Sequence, residues 1–132
     1  MRRAVNRVAT GHRGRIVSSR ILIVEDDPIL TLMFENELVS LGHRAVACAD
    51  CVETALSALG AFDLDAAIVN AVLSNGESGG PVAAALSAKG IPFLVATGGF
   101  IARPEAAFAG QPVLMKPFSR QDLERALAVI GR

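Results

Sequence analysis

The stretch ILIVEDDP, residues 21–28, decides the fold, because four apolar residues run directly into three acids and a proline. A short apolar run rich in isoleucine and valine is typical of a buried β-strand. Pro28 suits the first turn of a helix, and Asp27 is then its natural N-cap. The stretch therefore predicts a strand that turns at once into a helix, with Glu25 and Asp26 at the junction.

The same alternation of strand and helix continues along the chain, which predicts βαβ units and a parallel sheet. We expect strands at residues 21–24, 44–49, 65–73, 92–96 and 113–115. We expect helices at residues 28–41, 50–59, 81–89 and from 119 to the end, with a weak helical signal over 100–111. The pattern predicts a single doubly wound α/β domain, a five-stranded parallel sheet with helices on both faces.

Helix boundaries carry their own signals. Capping boxes are predicted at Asp50 with Glu53 and at Ser119 with Asp122. Helix stops are predicted at Gly42, Gly60 and Gly90. In the last helix, one apolar face is predicted from Leu123, Leu127 and Ile130.

The composition fits one globular domain, with no room for a separate output domain. The chain has 132 residues, 52% of them apolar, and it lacks Trp and Tyr. Its apolar runs are far shorter than the roughly 18–20 residues that cross a bilayer. We therefore expect a cytoplasmic protein that does not span a membrane.

Charge divides the chain into residues 1–19, a basic extension that we expect to be disordered, and the domain over 20–132. The first 20 residues contain six arginines and no acid, whereas residues 21–132 carry a net charge of −6. Nucleic-acid binding is therefore not expected of the domain, and only the extension could provide it. The extension could also bind acidic surfaces, have no role, or be upstream sequence from a misassigned start.

The candidate site follows from the sheet, because ligands of open parallel sheets bind beyond the carboxyl ends of the strands. Polar residues at these ends are Glu25, Asp26, Asp27, Asn70, Thr97 and Lys116. Three adjacent carboxylates call for a compensating cation, either a metal ion or the Lys116 ammonium. The simpler alternative is that Asp27 only caps a helix and that the other two acids are solvated.

Four motifs in order, ILIVEDDP, AAIV before Asn70, FLVATGG and VLMKPF, resemble the receiver domain of two-component response regulators over residues 20–132. The resemblance implies a flavodoxin-like fold with strand order 2-1-3-4-5 and a cis Lys116–Pro117 bond. It also implies a phosphoryl pocket containing Thr97 and Lys116. Mg²⁺ would be held by Glu25 and Asp26, with Asp27 and the Val72 backbone carbonyl alongside.

Two positions depart from the receiver pattern. The aspartate that accepts the phosphoryl group in the family corresponds to Asn70, and an amide is a poor nucleophile with no charge for a metal. We therefore expect Mg²⁺ to bind weakly, if at all, and no other cofactor. The aromatic switch position of the family is occupied by Val113. The alternative is an active phosphoacceptor, through deamidated Asn70 or through another acid such as Asp65.

These residues predict a pseudo-receiver with no catalytic activity, which acts by binding proteins. The resemblance implies a histidine kinase or phosphotransfer protein as partner, or self-association through the last helix and the strand-five face. A further alternative is redox sensing by Cys48 and Cys51, although a buried small residue and an inert helix-start cysteine explain that pair more simply. Residues 76–80 match the G-x-S-x-G motif, but neither histidine follows Ser78, so a hydrolase is not expected. His43 is expected to be a solvated loop residue.

Overall fold

The structure is a computed structural model that describes residues 19–73, 76–98 and 105–130. Its strands are β1 (Arg20–Val24), β2 (Arg44–Ala49), β3 (Ala66–Asn70), β4 (Phe93–Thr97) and β5 (Val113–Met115). Its helices are α1 (Pro28–Ser40), α2 (Val52–Ala61), α3 (Gly80–Ala88) and α4 (Arg120–Ile130), with a 3₁₀ helix at Ala106–Phe108. The predictions for residues 1–18 and 99–104 lie outside the described residues.

The five strands form one sheet in the order β2-β1-β3-β4-β5, and every neighbouring pair is parallel. This order confirms the predicted doubly wound topology. Every residue of β3 and β4 is buried, as expected for central strands covered on both faces. The register pairs Val24 with Val69 and Asn70 with Ala96, so the carboxyl ends of the central strands meet at one edge.

Two apolar layers enclose the sheet. Helices α2 and α3 cover one face, where they pack on side chains that include Leu22, Val24, Ala67, Val69, Phe93 and Val95. Helices α1 and α4 cover the other face, against Ile21, Ile23, Ile68, Leu94, Ala96 and Leu114. Alternate residues of each strand therefore serve opposite layers, as the two-residue repeat of a strand requires. The predicted face of α4 is confirmed, since Leu123 and Leu127 are buried and Ile130 packs beside them.

Two of the predicted helix starts are confirmed. Asp27 is the N-cap of α1, and its Oδ1 accepts a hydrogen bond of 2.9 Å from the Ile29 backbone N–H. Ser119 and Asp122 form the reciprocal capping box before α4, with bonds of 2.9 Å and 3.1 Å. These caps are local, so the sequence alone specified them.

The predicted capping box at Asp50 is wrong. Cys51 is the N-cap of α2 and makes no side-chain cap bond. Glu77, from the loop after β3, accepts a 3.1 Å bond from the Val52 backbone N–H instead. A carboxylate that is distant in the sequence thus accepts the hydrogen bond of a backbone N–H that has no partner within the helix. A local sequence pattern cannot predict this contact.

Some boundaries also differ from prediction. Gly60 does not stop α2, which continues to Ala61. Between β4 and β5, residues 105–111 contain only the short 3₁₀ helix, in agreement with the weak helical signal there. Within the described residues, no helix has the length and apolarity needed to cross a membrane.

Candidate functional site

The carboxyl edge of the sheet brings polar side chains together from four strands. Glu25 follows β1, Asn70 ends β3, Thr97 ends β4 and Lys116 follows β5. Glu25, Asn70 and Thr97 are buried polar residues, with 4%, 6% and 7% exposure. Because buried polar groups need hydrogen-bond partners, their contacts define the chemistry of this edge.

The contacts form one network around Asn70. Lys116 Nζ lies 2.8 Å from Glu25 Oε1 and 3.0 Å from Asn70 Oδ1. Asn70 Nδ2 lies 3.3 Å from Glu25 Oε2 and 3.2 Å from Asp26 Oδ1. The Asp27 backbone N–H completes the network with a 3.1 Å bond to Glu25 Oε2. Glu25, Asp26, Asn70 and Lys116 therefore form a single hydrogen-bonded cluster, which we call the carboxyl-edge network.

The orientation of the Asn70 amide follows from its neighbours. Its NH₂ group can only donate and faces two carboxylates, whereas its oxygen can only accept and faces the Lys116 ammonium. A flipped amide would place its oxygen against both acids and its NH₂ against the ammonium. Asn70 therefore links Glu25 and Asp26 to Lys116 in the amide orientation that pairs each donor with an acceptor.

The structure also shows where the other predicted site residues lie. The Asp27 carboxylate caps α1 and is not in the network. The Thr97 backbone carbonyl accepts a 2.9 Å bond from the Lys116 N–H, which fixes the two predicted pocket residues side by side. Val72 lies in the loop after β3, bridged to Ser78, and Val113 is 54% exposed on β5. The Lys116–Pro117 bond is cis.

The hydrogen bonds of the network also determine which oxygens of these residues are available to bind a metal ion. A divalent ion such as Mg²⁺ needs oxygen ligands at about 2.0–2.1 Å. Glu25 Oε2 and Asp26 Oδ1 already accept N–H bonds from Asn70. Within the described ranges, this edge included, no group of three or more His, Cys, Asp or Glu side chains is placed to hold a metal ion. The residues therefore do not fit a metal ion in this arrangement.

Sequence reasoning missed the residues that support Asn70 from the loop after β3. A Cβ at Gly79 would lie 2.3 Å from the Asn70 carbonyl oxygen, so only glycine permits this approach. Ser78 Oγ accepts a 2.9 Å bond from the Gly80 N–H and also contacts the Glu105 carboxylate. The sequence signal for this packing is the Gly-Glu-Ser-Gly-Gly run at residues 76–80, whose adjacent glycines allow a close backbone approach.

The structure gives Ser78 and Cys48 structural contacts. Ser78 binds backbone and a carboxylate, whereas His43 lies at the opposite end of the sheet beside Ser19, so these two residues cannot form a catalytic pair. Both cysteines are free, and Cys48 is exposed on β2, so the prediction that it is buried is wrong. Desolvation of the thiol, with the adjacent Glu35 carboxylate, raises the pKa of Cys48 to about 11. Such a thiol is protonated near neutral pH and is a poor redox nucleophile.

Two further predictions concern the amino edge of the sheet. Asp65 precedes β3 and binds Arg20, with bonds of 2.8 Å to its backbone N–H and 3.1 Å to its Nε. It therefore lies one strand length away from the carboxyl-edge network. The prediction of a solvated His43 is wrong, because the ring is partly buried and its Nδ1 accepts a 3.2 Å bond from the Ser19 N–H.

Comparisons with known proteins show which solved structures this chain resembles. No family model and no curated protein matches the sequence. The solution structure of SdrG from Sphingomonas melonis Fr1 matches with a TM-score of 0.78 and 40% identity, over 88% of this chain and 98% of SdrG. The BeF3-activated conformation of SdrG from Pseudomonas melonis Fr1 matches with a TM-score of 0.72 and 41% identity, over 84% and 95%.

A third match shows the fold alone. The REC domain of the PhyR response regulator from Erythrobacter litoralis has a TM-score of 0.73 and 22% identity, over 86% of this chain and 89% of that one. The sheet order of these proteins is also that of this chain, which has acids, a hydroxyl and a lysine at the carboxyl edge. The chain belongs to the response-regulator receiver domains, similar in sequence to SdrG.

Proposed function

We propose that this protein is a pseudo-receiver, a receiver domain that acts by binding other proteins and is not switched by aspartyl phosphorylation. The observation that carries the proposal is the Asn70 amide at the end of β3, hydrogen-bonded to Glu25, Asp26 and Lys116. An amide oxygen is a weak nucleophile, and here it already accepts a bond from Lys116. The position that needs a free carboxylate therefore holds a neutral, engaged group.

The alternative acceptors are less well placed. Both Glu25 oxygens accept hydrogen bonds, and the residue is buried. Deamidation of Asn70 requires attack by the Ala71 backbone nitrogen, whose N–H donates a 2.9 Å bond to the Ala96 carbonyl. Asp26 is the more exposed acid of the pair and is the acceptor to check first.

The decisive experiment is intact-mass spectrometry after incubation with acetyl phosphate and Mg²⁺, on the unaltered protein beside Asn70→Asp. We expect only the variant to gain a phosphoryl group, because it alone presents a carboxylate at the end of β3. If the unaltered protein gains one, the proposal is wrong. Asp26→Asn in the same assay then shows whether Asp26 is the acceptor.

Beryllofluoride provides an independent test, since SdrG has a solved BeF3-activated conformation. Beryllium completes its tetrahedral shell with a carboxylate oxygen, which Asn70 does not supply. In amide NMR spectra with Be²⁺, fluoride and Mg²⁺, we expect shifts around β3 and β5 in Asn70→Asp and none in the unaltered protein. Equal shifts in both proteins would contradict the proposal.

A binding role also needs a surface, and the strand-five face supports one. In the described sheet, β5 is an edge strand that pairs with β4 alone, and it exposes Val113 and Met115 at 54% each. Val129 on α4 is 58% exposed. Exposed apolar side chains beside an unpaired strand edge favour association with another chain. We propose a second copy, a histidine kinase or a phosphotransfer protein as the partner.

Self-association is tested by light scattering over a range of concentrations. A Met115→Glu variant should dissociate any dimer formed through β5, whereas Leu56→Glu, at an exposed position of α2 on the other face of the sheet, should not. Loss of the dimer in both variants would place the interface elsewhere. A monomer at every concentration leaves a kinase or phosphotransfer protein as the partner.

A further inference from the structure

The carboxyl-edge network leaves little for a metal ion to neutralise. Asn70 contributes no charge, so the network holds two carboxylates, Glu25 paired with the Lys116 ammonium and Asp26 bonded to the amide, where an aspartate at position 70 would add a third acid. Three carboxylates around one ammonium repel one another, and a bound cation would relieve that repulsion. The asparagine removes one of these three charges.

The amide also occupies the space that a cation would take. Asn70 Nδ2 lies 3.3 Å from Glu25 Oε2 and 3.2 Å from Asp26 Oδ1, so this one donor group bridges the two carboxylates. An ion at about 2.0–2.1 Å from the same oxygens would meet the amide hydrogens, which point toward them. The position is buried, and Gly79 packs against the Asn70 backbone carbonyl, which holds the strand end in place.

We propose that the Asn70 amide substitutes for the divalent cation, so that the amide itself links the two acids and keeps metal out of the pocket. Two N–H donors of one side chain replace the ion as the link between the acids. The inference rests on the assignment of Asn70 to the acceptor position in the proposed function. It adds that metal binding is prevented by the amide itself and not only by the loss of one negative charge.

Manganese ion is the probe, because bound Mn²⁺ loses the sharp electron paramagnetic resonance signal of the free ion. Titrations compare the unaltered protein with Asn70→Asp and Asn70→Ala. We expect Asn70→Asp to bind Mn²⁺ about 10–100-fold more tightly than the unaltered protein, a range typical of changes to groups that support a metal site. Asn70→Ala restores no charge but removes the amide, so we expect it to bind more tightly than the unaltered protein and less tightly than Asn70→Asp.

The Asn70→Ala variant distinguishes exclusion of the metal by the amide itself from exclusion by the missing negative charge. If it binds Mn²⁺ no better than the unaltered protein, the missing charge alone excludes the metal and the substitution proposed here is wrong. If the unaltered protein binds Mn²⁺ as tightly as Asn70→Asp, the inference also fails. The comparison of Asn70→Ala with the unaltered protein remains readable even if Asn70→Asp does not fold.

Thermal unfolding gives a second readout that needs no activity. Mg²⁺ should raise the Tm of Asn70→Asp, because a ligand that binds only the native state stabilises it, and should leave the unaltered protein unchanged. In EDTA, Asn70→Asp should unfold at a lower temperature than the unaltered protein, since its third carboxylate then has no cation. Equal Tm values in EDTA would contradict the inference.

The two proposals fail separately. An unaltered protein that binds Mn²⁺ tightly but gains no phosphoryl group overturns the inference and leaves the pseudo-receiver intact. An unaltered protein that gains a phosphoryl group on another acid overturns the proposed function, whatever its affinity for Mn²⁺.

Discussion

Strand β1 has an ion pair at each of its ends, and the two pairs lie in different surroundings. At the amino edge, Arg20 binds Asp65, with side chains 36% and 34% exposed. At the carboxyl edge, Lys116 binds Glu25, with side chains 14% and 2% exposed. Although the contact distances are similar, 3.1 Å and 2.8 Å, only the second pair is removed from water.

The difference shows that burial, and not distance, decides how much a charged contact matters. Solvent competes with the exposed pair, so its net contribution is about 0–1 kcal/mol. Removal of one partner from a buried pair leaves an uncompensated charge and costs about 3–5 kcal/mol. The carboxyl edge is therefore the end of the sheet that is more sensitive to loss of a charged partner.

The largest expected effect is that of Lys116→Met, which keeps the length of the side chain but leaves the buried Glu25 carboxylate without its cation. We expect the free energy of unfolding to fall by about 3–5 kcal/mol, measured by urea denaturation at pH 7. A double variant with Glu25→Gln should recover part of the loss, since no buried charge remains. A loss below about 1 kcal/mol would make the two edges equivalent.

Next in size is the effect of a methyl group beside Asn70. Gly79→Ala places a Cβ against the Asn70 carbonyl oxygen and should destabilise the protein by about 1–3 kcal/mol in the same assay. Gly60→Ala is the matched control, because Gly60 lies within α2 with no atom near the added Cβ. It should stabilise the helix by about 0.5–1 kcal/mol. Equal effects of the two substitutions would show that the carboxyl edge is not tightly packed.

At the amino edge, Arg20→Met should cost no more than about 1 kcal/mol, because its pair with Asp65 is partly solvated. Salt should reduce the difference further, since screening acts on exposed charges. Urea denaturation with and without 1 M NaCl, where the Debye length is about 3 Å, measures this dependence. A cost as large as that of Lys116→Met would contradict the contrast.

The smallest expected effect is the titration of His43, also at the amino edge. Burial lowers the pKa of this imidazole below the 6.5 of an exposed histidine. Between these two pKa values the unfolded chain binds more protons than the native protein, so stability rises with pH in that window and falls as the pH drops below 6.5. Urea midpoints between pH 5 and pH 7.5 should show this slope, and His43→Gln should flatten it.

Most of the fold was accessible from the sequence, because the elements follow from local patterns. The apolar runs before Glu25 and Asn70 identified the buried strands, and Asp27 and Ser119 identified two helix starts. The start of α2 was not accessible, since its free N–H binds Glu77 from a distant loop. Nor was the packing of Gly79 on the Asn70 carbonyl, which depends on how α3 docks on the sheet.

For the site, the sequence determined which side chains follow each strand, including the amide of Asn70 at the end of β3. Strand ends of a parallel sheet meet at one edge, so the proximity of Glu25, Asn70 and Lys116 follows from chain order. Only the tertiary structure decided that the Asn70 NH₂ faces both acids while its oxygen faces Lys116, and that Asp27 turns away to cap α1. Hydrogen-bond direction and burial depend on the relative position of strands far apart in the sequence, and no local pattern encodes them.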